Sequence, residues 1–307
     1  MSTGNAPLPA PSRNDWLAAG APQSVMQANL VFWARRGKML LLNKAGFAGL
    51  VIIVAVLLLA AFAPLLAPEP INAQDLGRVL QRPSSANWLG TDDLGRDILS
   101  RLLFGARTTL YIAFVTALIV APIGLLVGAA AGYLGGITDI VLMRLVDVFL
   151  AFPGLILALA FISALGPGLE NAIIAIALAS WPPIARLARA ETLSIRNADY
   201  ISAVRIQGAS SARIIFRHIL PMCIPSVVVR TTLNMSSIIL TAAGMGFLGL
   251  GAQPPSPEWG AMLATGRAYM LTNGWIAAIP GLAILVTSLG FNLLGDGLRD
   301  VLDPRNG

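Results

Sequence analysis

Six stretches of this 307-residue chain are long and apolar enough to cross a lipid bilayer. They are approximately Ala45–Ala67, Thr109–Leu134, Ile137–Leu165, Asn171–Ala188, Met222–Leu250 and Trp275–Leu294. A hydrocarbon core about 30 Å thick takes about 20 residues of helix, and a backbone in lipid must bond to itself. The expected fold class is therefore an all-α polytopic membrane protein with six transmembrane helices. Composition agrees: 56% of residues are hydrophobic and 12% charged, with a mean hydropathy of +0.75, against roughly 25% charged in a soluble domain.

The same composition removes several function classes. A single cysteine, Cys223, excludes an internal disulfide framework and a CxxC metal site. A single histidine, His218, excludes HExxH and most histidine-centred catalysis. No GxSxG or paired catalytic carboxylates suggest an intramembrane hydrolase. The net charge of +6 does not point to nucleic acid, because the basic residues follow topology rather than one patch. Most of them, including Arg35, Arg36, Lys38, Arg186, Arg189, Arg205, Arg213 and Arg299, fall on one side if the N-terminus lies inside. The excess favours an N-in, C-in multi-pass protein.

Residues 1–28, rich in Ala, Pro, Ser, Gly and Asn without periodicity, read as a disordered cytoplasmic tail. Residues 29–44, with Trp33 beside Arg35, Arg36 and Lys38, read as an interfacial helix on an anionic membrane face. The first span, 45–67, is too long and too far from the N-terminus for a cleaved signal. An exterior segment, 68–108, precedes a five-helix core, 109–300, and 301–307 form a cytoplasmic C-terminus. Gly124, Gly128 and Gly132 leave one face of the second span as bare backbone for close helix approach, within the chain or at a subunit seam. Pro153 and Trp181-Pro182-Pro183 should kink the third and fourth spans.

The polar loop 189–221 interrupts the apolar core, and within it Asp199 to Pro221 carries the strongest local signal. Ile201, Val204 and Ile206, then Ile214, Ile215 and Ile219, recur at helical spacing. Gly208 with Ala209-Ser210-Ser211 reads as a helix stop and restart, Ser210 or Ser211 serving as N-cap. Two short helices joined at a glycine result. In the exterior segment, Asp92, Asp93 and Asp97 lack the Asp-x-Asp-x-Asp-Gly alternation and closing Glu of a calcium loop. Capping of the next helix by Thr91 or Asp92 explains them more simply.

Two long motifs carry a family resemblance. The run Ser202-Ala203-Val204, Gly208 and Ile219-Leu220-Pro221 resembles the EAA loop of permease subunits of bacterial ATP-binding-cassette importers, with Ser202 where that pattern expects Glu and Val204 in place of its second Ala. Leu89-Gly90-Thr91-Asp92-Asp93-Leu94-Gly95-Arg96-Asp97 with Ser100-Arg101 and Gly105-Ala106-Arg107 resembles the GTDxxGRDxxSRxxxGAR signature of the second permease of dipeptide, oligopeptide and nickel importers. The stretches 246–260 and 292–305 share the resemblance, which covers about Trp88 to the C-terminus.

The resemblance implies a type I importer permease that pairs with a homologous second permease in a heterodimer. It also implies two cytoplasmic ATPase subunits and an exterior solute-binding protein, all beside a lipid bilayer and with no nucleic acid. The chain has no GxxxxGK[ST] phosphate loop, so ATP and Mg are expected on the ATPase partners, with no cofactor, metal or enzymatic activity here. Ser202, Ala203, Val204, Arg205, Gly208, Ala209 and Arg213 are the expected ATPase-coupling residues. Asp92, Arg96, Gln253 and Trp259 are expected at the exterior binding protein, with lipid anchoring the alternative for Trp259.

Asp147 and Arg230 lie at matching depths from the cytoplasmic side and are expected either as a buried ion pair or, if Arg144 neutralises Asp147, with Arg230 lining the translocation path. The alternative class is an ion-coupled secondary transporter or channel. Such proteins place ionisable groups at mid-membrane and often show internal repeats, and only Asp147 and Arg230 fit that description. The expected cargo is a small peptide or peptide-like solute.

Overall fold

The computed structural model describes residues 34 and 36–302. The expected tail at 1–28 lies outside the described residues, as do most of 301–307. Residues 36–42 are helical, with Met39, Leu41 and Leu42 exposed. Asn43 ends that helix and caps the next: its side chain accepts from Gly46 N at 3.0 Å and donates to Asp300 Oδ2 at 2.7 Å.

The first spanning helix, α1 (Lys44–Ala61), is followed by one short turn, α2 (Ala63–Leu66), with Pro64 in its first turn. A loop with a 3₁₀ turn at Leu76–Arg78 leads to α3 (Ile98–Leu134), 37 residues long, or about 55 Å. Thus 98–108, assigned from the sequence to the exterior segment, are the first turns of α3. Then come α4 (Gly136–Leu150), α5 (Gly154–Leu165), α6 (Leu169–Ser180) and α7 (Pro182–Ile195). Pro153 acts as expected, since α4 and α5 meet at 92° across it, whereas α6 and α7 meet at Trp181-Pro182 and run on as one span. Five helices among the described residues are long and apolar enough to cross a membrane, or six if the bent α4–α5 pair is one span.

After α7 the chain forms α8 (Asp199–Ile206), α9 (Ser211–Ile214), a π-helical turn at Ile215–Ile219, and α10 (Leu220–Phe247). A second loop region carries α11 (Trp259–Arg267), and α12 (Trp275–Leu302) closes the bundle. The glycine stripe explains the most extensive helix contact, between α3 and α7. A Cβ on Gly128 would sit 2.2 Å from Ala185 O, and one on Gly124 or Gly132 2.7 Å from Ile184 or Thr192. The bare face is therefore filled from within the chain. A second close pairing, α1 on α12, ties the N-terminal helix to the last one. By contrast α4 buries little beyond Val146, leaving Ile137, Ile140, Val141 and Val148 exposed.

Candidate functional site

The handle formed by α8, Gly208, α9 and the π turn stands at one end of the bundle. Gly208 has φ +80°, the left-handed conformation that ends a helix without a Cβ clash. Around it Gly208 N donates to Arg205 O at 3.0 Å and Ala209 N to Val204 O at 3.3 Å, the paired bonds of a Schellman stop. Ser210 restarts the chain, its Oγ accepting from Arg213 N at 3.4 Å. The inner face is apolar: Ile201, Ile214, Ile219 and Cys223 are fully buried against Ala129 of α3. The outer face is open, with Ser202, Ala203, Arg205, Gly208 and Arg213 exposed and Val204 and Ala209 partly so. Ile206 is 87% exposed and Phe216 63%. The guanidinium of Arg205 lies 5.7 Å from the Tyr133 ring centroid, which turns it toward α3.

From Ser211 to Phe247 the helical run is continuous, so α9, the π turn and α10 are mechanically one body. Above the handle, α7, α10 and α12 surround a cavity of about 430 Å³ lined by Glu191, Ser226, Arg230 and Arg299. A neighbouring cavity of about 470 Å³ is lined by Leu150, Arg186 and again Arg230.

The Asp147–Arg230 pair is not formed. Arg186 Nη2 donates to Asp147 Oδ1 at 2.8 Å, so Arg144 is not the partner either. The reason is packing: Val146 buries against Ile184, Ala185 and Ala188, turning α4 toward α7 rather than α10. On the same seam Arg189 Nη2 meets Asp139 Oδ2 at 2.6 Å. Arg230 is exposed on a cavity wall. Sequence reasoning missed Arg186, Glu191, Ser226 and Arg299. The amphipathic face of α7, with Arg186 and Arg189 on one side, was the available signal.

At the opposite end, three of the four expected exterior contacts are interior. Asp92 Oδ1 accepts from Leu94 N at 2.9 Å and Arg96 N at 3.0 Å, and its Oδ2 accepts from Arg96 Nε at 2.7 Å. Both residues are buried, because a charge pair removed from water survives only when its lone pairs and protons are matched. The helix cap falls to Asp97, not Thr91 or Asp92: its Oδ2 accepts from Ser100 N at 2.7 Å. Burial, then the neighbouring Asp92 charge, raises the Asp93 carboxyl above the usual carboxylate range. Trp259 is 2% exposed and donates Nε1–H to Leu102 O at 2.9 Å, so it anchors α11 to α3 and touches neither lipid nor an outside protein. Beside it the buried Glu258 accepts from Gly260 N and Ala261 N at 2.7 and 2.8 Å. Gln253 alone stays exposed, bonded to Gly249 O and Gly251 O.

Residues 122–307 match the family model described as the inner membrane component of binding-protein-dependent transport systems. The chain belongs to this family. Residues 32–83 match a second model, the N-terminal transmembrane domain of oligopeptide transport permease C. The permease is 44% identical to the dipeptide transport system permease protein DppC of Alkalihalophilus pseudofirmus over 89% of this chain and 90% of that one. It is 46% identical to a probable D,D-dipeptide transport system permease protein of Escherichia coli (strain K12), covering 90% and 91%. With the glutathione transport system permease protein GsiD of Pectobacterium atrosepticum the figures are 45%, 89% and 90%. Its fold is similar to that of a chain from an inward-facing MetNI methionine ABC transporter, with TM-score 0.53 and 24% identity over 66% of this chain and 96% of that one. The permease is thus a multi-pass inner-membrane subunit of a binding-protein-dependent importer.

Proposed function

We propose that the permease forms half of the translocation path for a small peptide or peptide-like solute, beside a homologous second permease. Two cytoplasmic ATPase subunits, holding ATP and Mg, dock on the handle, and an exterior binding protein delivers the solute. The likeness to dipeptide, D,D-dipeptide and glutathione permeases supports the cargo class. The distribution of basic residues supports an N-in, C-in orientation, which puts the handle in the cytoplasm.

The observation that carries the coupling role is the handle's construction. Its small-residue face at Ser202, Ala203, Val204, Gly208 and Ala209 is open, Arg213 is exposed beside it, and the run 211–247 transmits any push into the bundle. Closure of the ATPases would tilt α10 as a lever between two states of the path. Ala203→Glu tests this, because Ala203 is exposed and helical, whereas a side chain at Gly208 would strain a positive φ. The expected outcome is unchanged folded yield with transport in reconstituted vesicles reduced at least about tenfold, the scale of one lost set of contacts worth 1.4 kcal/mol. Normal transport by this variant would remove the assignment.

A further inference from the structure

The cavity between α7, α10 and α12 carries both signs of charge. Arg230 and Arg299 supply two guanidinium groups and Glu191 a carboxylate, with Leu187, Leu233 and Leu302 making the wall between them. Among the described residues neither arginine comes within 4.0 Å of a carboxylate oxygen, although both line the same space as Glu191. Glu191 Oε1 accepts from Ser226 Oγ at 2.9 Å, which fixes the carboxylate and leaves Oε2 for another donor. Arg230 sits ten residues beyond Leu220, about 15 Å up α10 from the handle. A lone guanidinium at that depth is stable only against water or a counter-charge. At about 430 Å³ the cavity is within the range that holds small ligands.

We propose that this cavity is a binding site for a small zwitterion, its carboxylate toward Arg230 and Arg299 and its ammonium toward Glu191. This rests on the peptide-import reading and deepens it, since the two ends of a free peptide are such a pair of charges. The arrangement discriminates as well as holds. A ligand with its carboxyl blocked leaves two cations facing each other, and one with its amine blocked leaves Glu191 facing an uncharged group. Arg230 also lines the adjoining cavity, where Arg186 is already paired with Asp147. The site lies on the handle half of the bundle, where a solute would pause last before release.

The test uses the membrane complex purified through the full chain, in nanodiscs and without any exterior binding protein. Ala-Ala, N-acetyl-Ala-Ala and Ala-Ala amide are compared by saturation-transfer NMR titration. Free Ala-Ala should bind about tenfold tighter than either blocked form, as expected for one charged hydrogen bond. Glu191→Gln should abolish the preference for the free amine, and Arg230→Gln the preference for the free carboxyl, each leaving the other preference intact. Equal binding of all three peptides to the unmutated complex overturns the proposal, whatever the variants do. So does loss of Ala-Ala binding when phosphatidylethanolamine is included in the nanodisc, which would assign the site to a lipid headgroup. Peptide uptake by the same complex, with its binding protein added back, separates the two readings: uptake without this selectivity defeats the site alone, and absence of uptake defeats peptide import.

Discussion

Trp259 shows how one side chain changes role once its neighbours are placed. As a sequence it is an amphipathic ring in a proline-rich loop, the kind found at a membrane surface or a partner contact. In the fold it fills the joint between α11 and α3, with its indole N–H satisfied by Leu102 O. Trp259→Ala should therefore cost about 3–5 kcal/mol of stability, read as lower folded yield and thermal midpoint. Trp259→Phe, which loses the N–H bond and part of the ring volume, should cost about 1–3 kcal/mol. If either variant kept full stability and instead lost only its response to the binding protein, the burial would be wrong. Asp93 gives a pH signature at the same end. Its carboxyl is raised by burial and by Asp92, so the folded state takes up this proton before the unfolded state does. Its contribution to stability falls as pH rises through the usual carboxylate value toward the raised one. Asp93→Asn should raise the thermal midpoint at neutral pH, with the gain vanishing below about pH 4. A gain that grew on acidification would contradict the sign.

At the scale of elements, the handle was legible and the ion pairs were not, for a physical reason. A helix stop depends on a few adjacent residues, so Gly208 and Ser210 could be read in place. Which acid meets which arginine depends on the rotation of α4 about its axis. That rotation is set by Val146 packing on Ile184 and Ala185, and the spacing of Asp147 and Arg230 carries no trace of it. The same limit hid the interior position of Asp92 and Arg96. The glycine stripe was visible, but only the pairing of α3 with α7 decides that its partner is internal. Gly128→Ala should cost about 1–3 kcal/mol by overpacking, because its new methyl would meet Ala185 O. Gly154→Ala, with open space around it and an ordinary helical backbone, should leave folded yield unchanged or slightly higher. Equal yields from these two variants would place the stripe at some other contact.

For the whole molecule, the rough bounds of the apolar spans followed from bilayer thickness, five of them among the described residues or six if the bent α4–α5 pair is one, and the family motifs placed them in an importer. What composition could not supply was the 92° turn that makes α4 and α5 two separate helices, or the cavity that gathers Glu191, Arg230 and Arg299 from three helices. The proposed lever, the handle and α10, sits beside a charged cavity and is braced at the far end by a buried ionic network. Uptake of a labelled dipeptide into vesicles bearing the complete complex tests the central claim most directly. Accumulation should require ATP and the exterior binding protein together and should persist when proton and sodium gradients are collapsed. Uptake driven by an ion gradient without ATP would contradict it and return the chain to the secondary transporters.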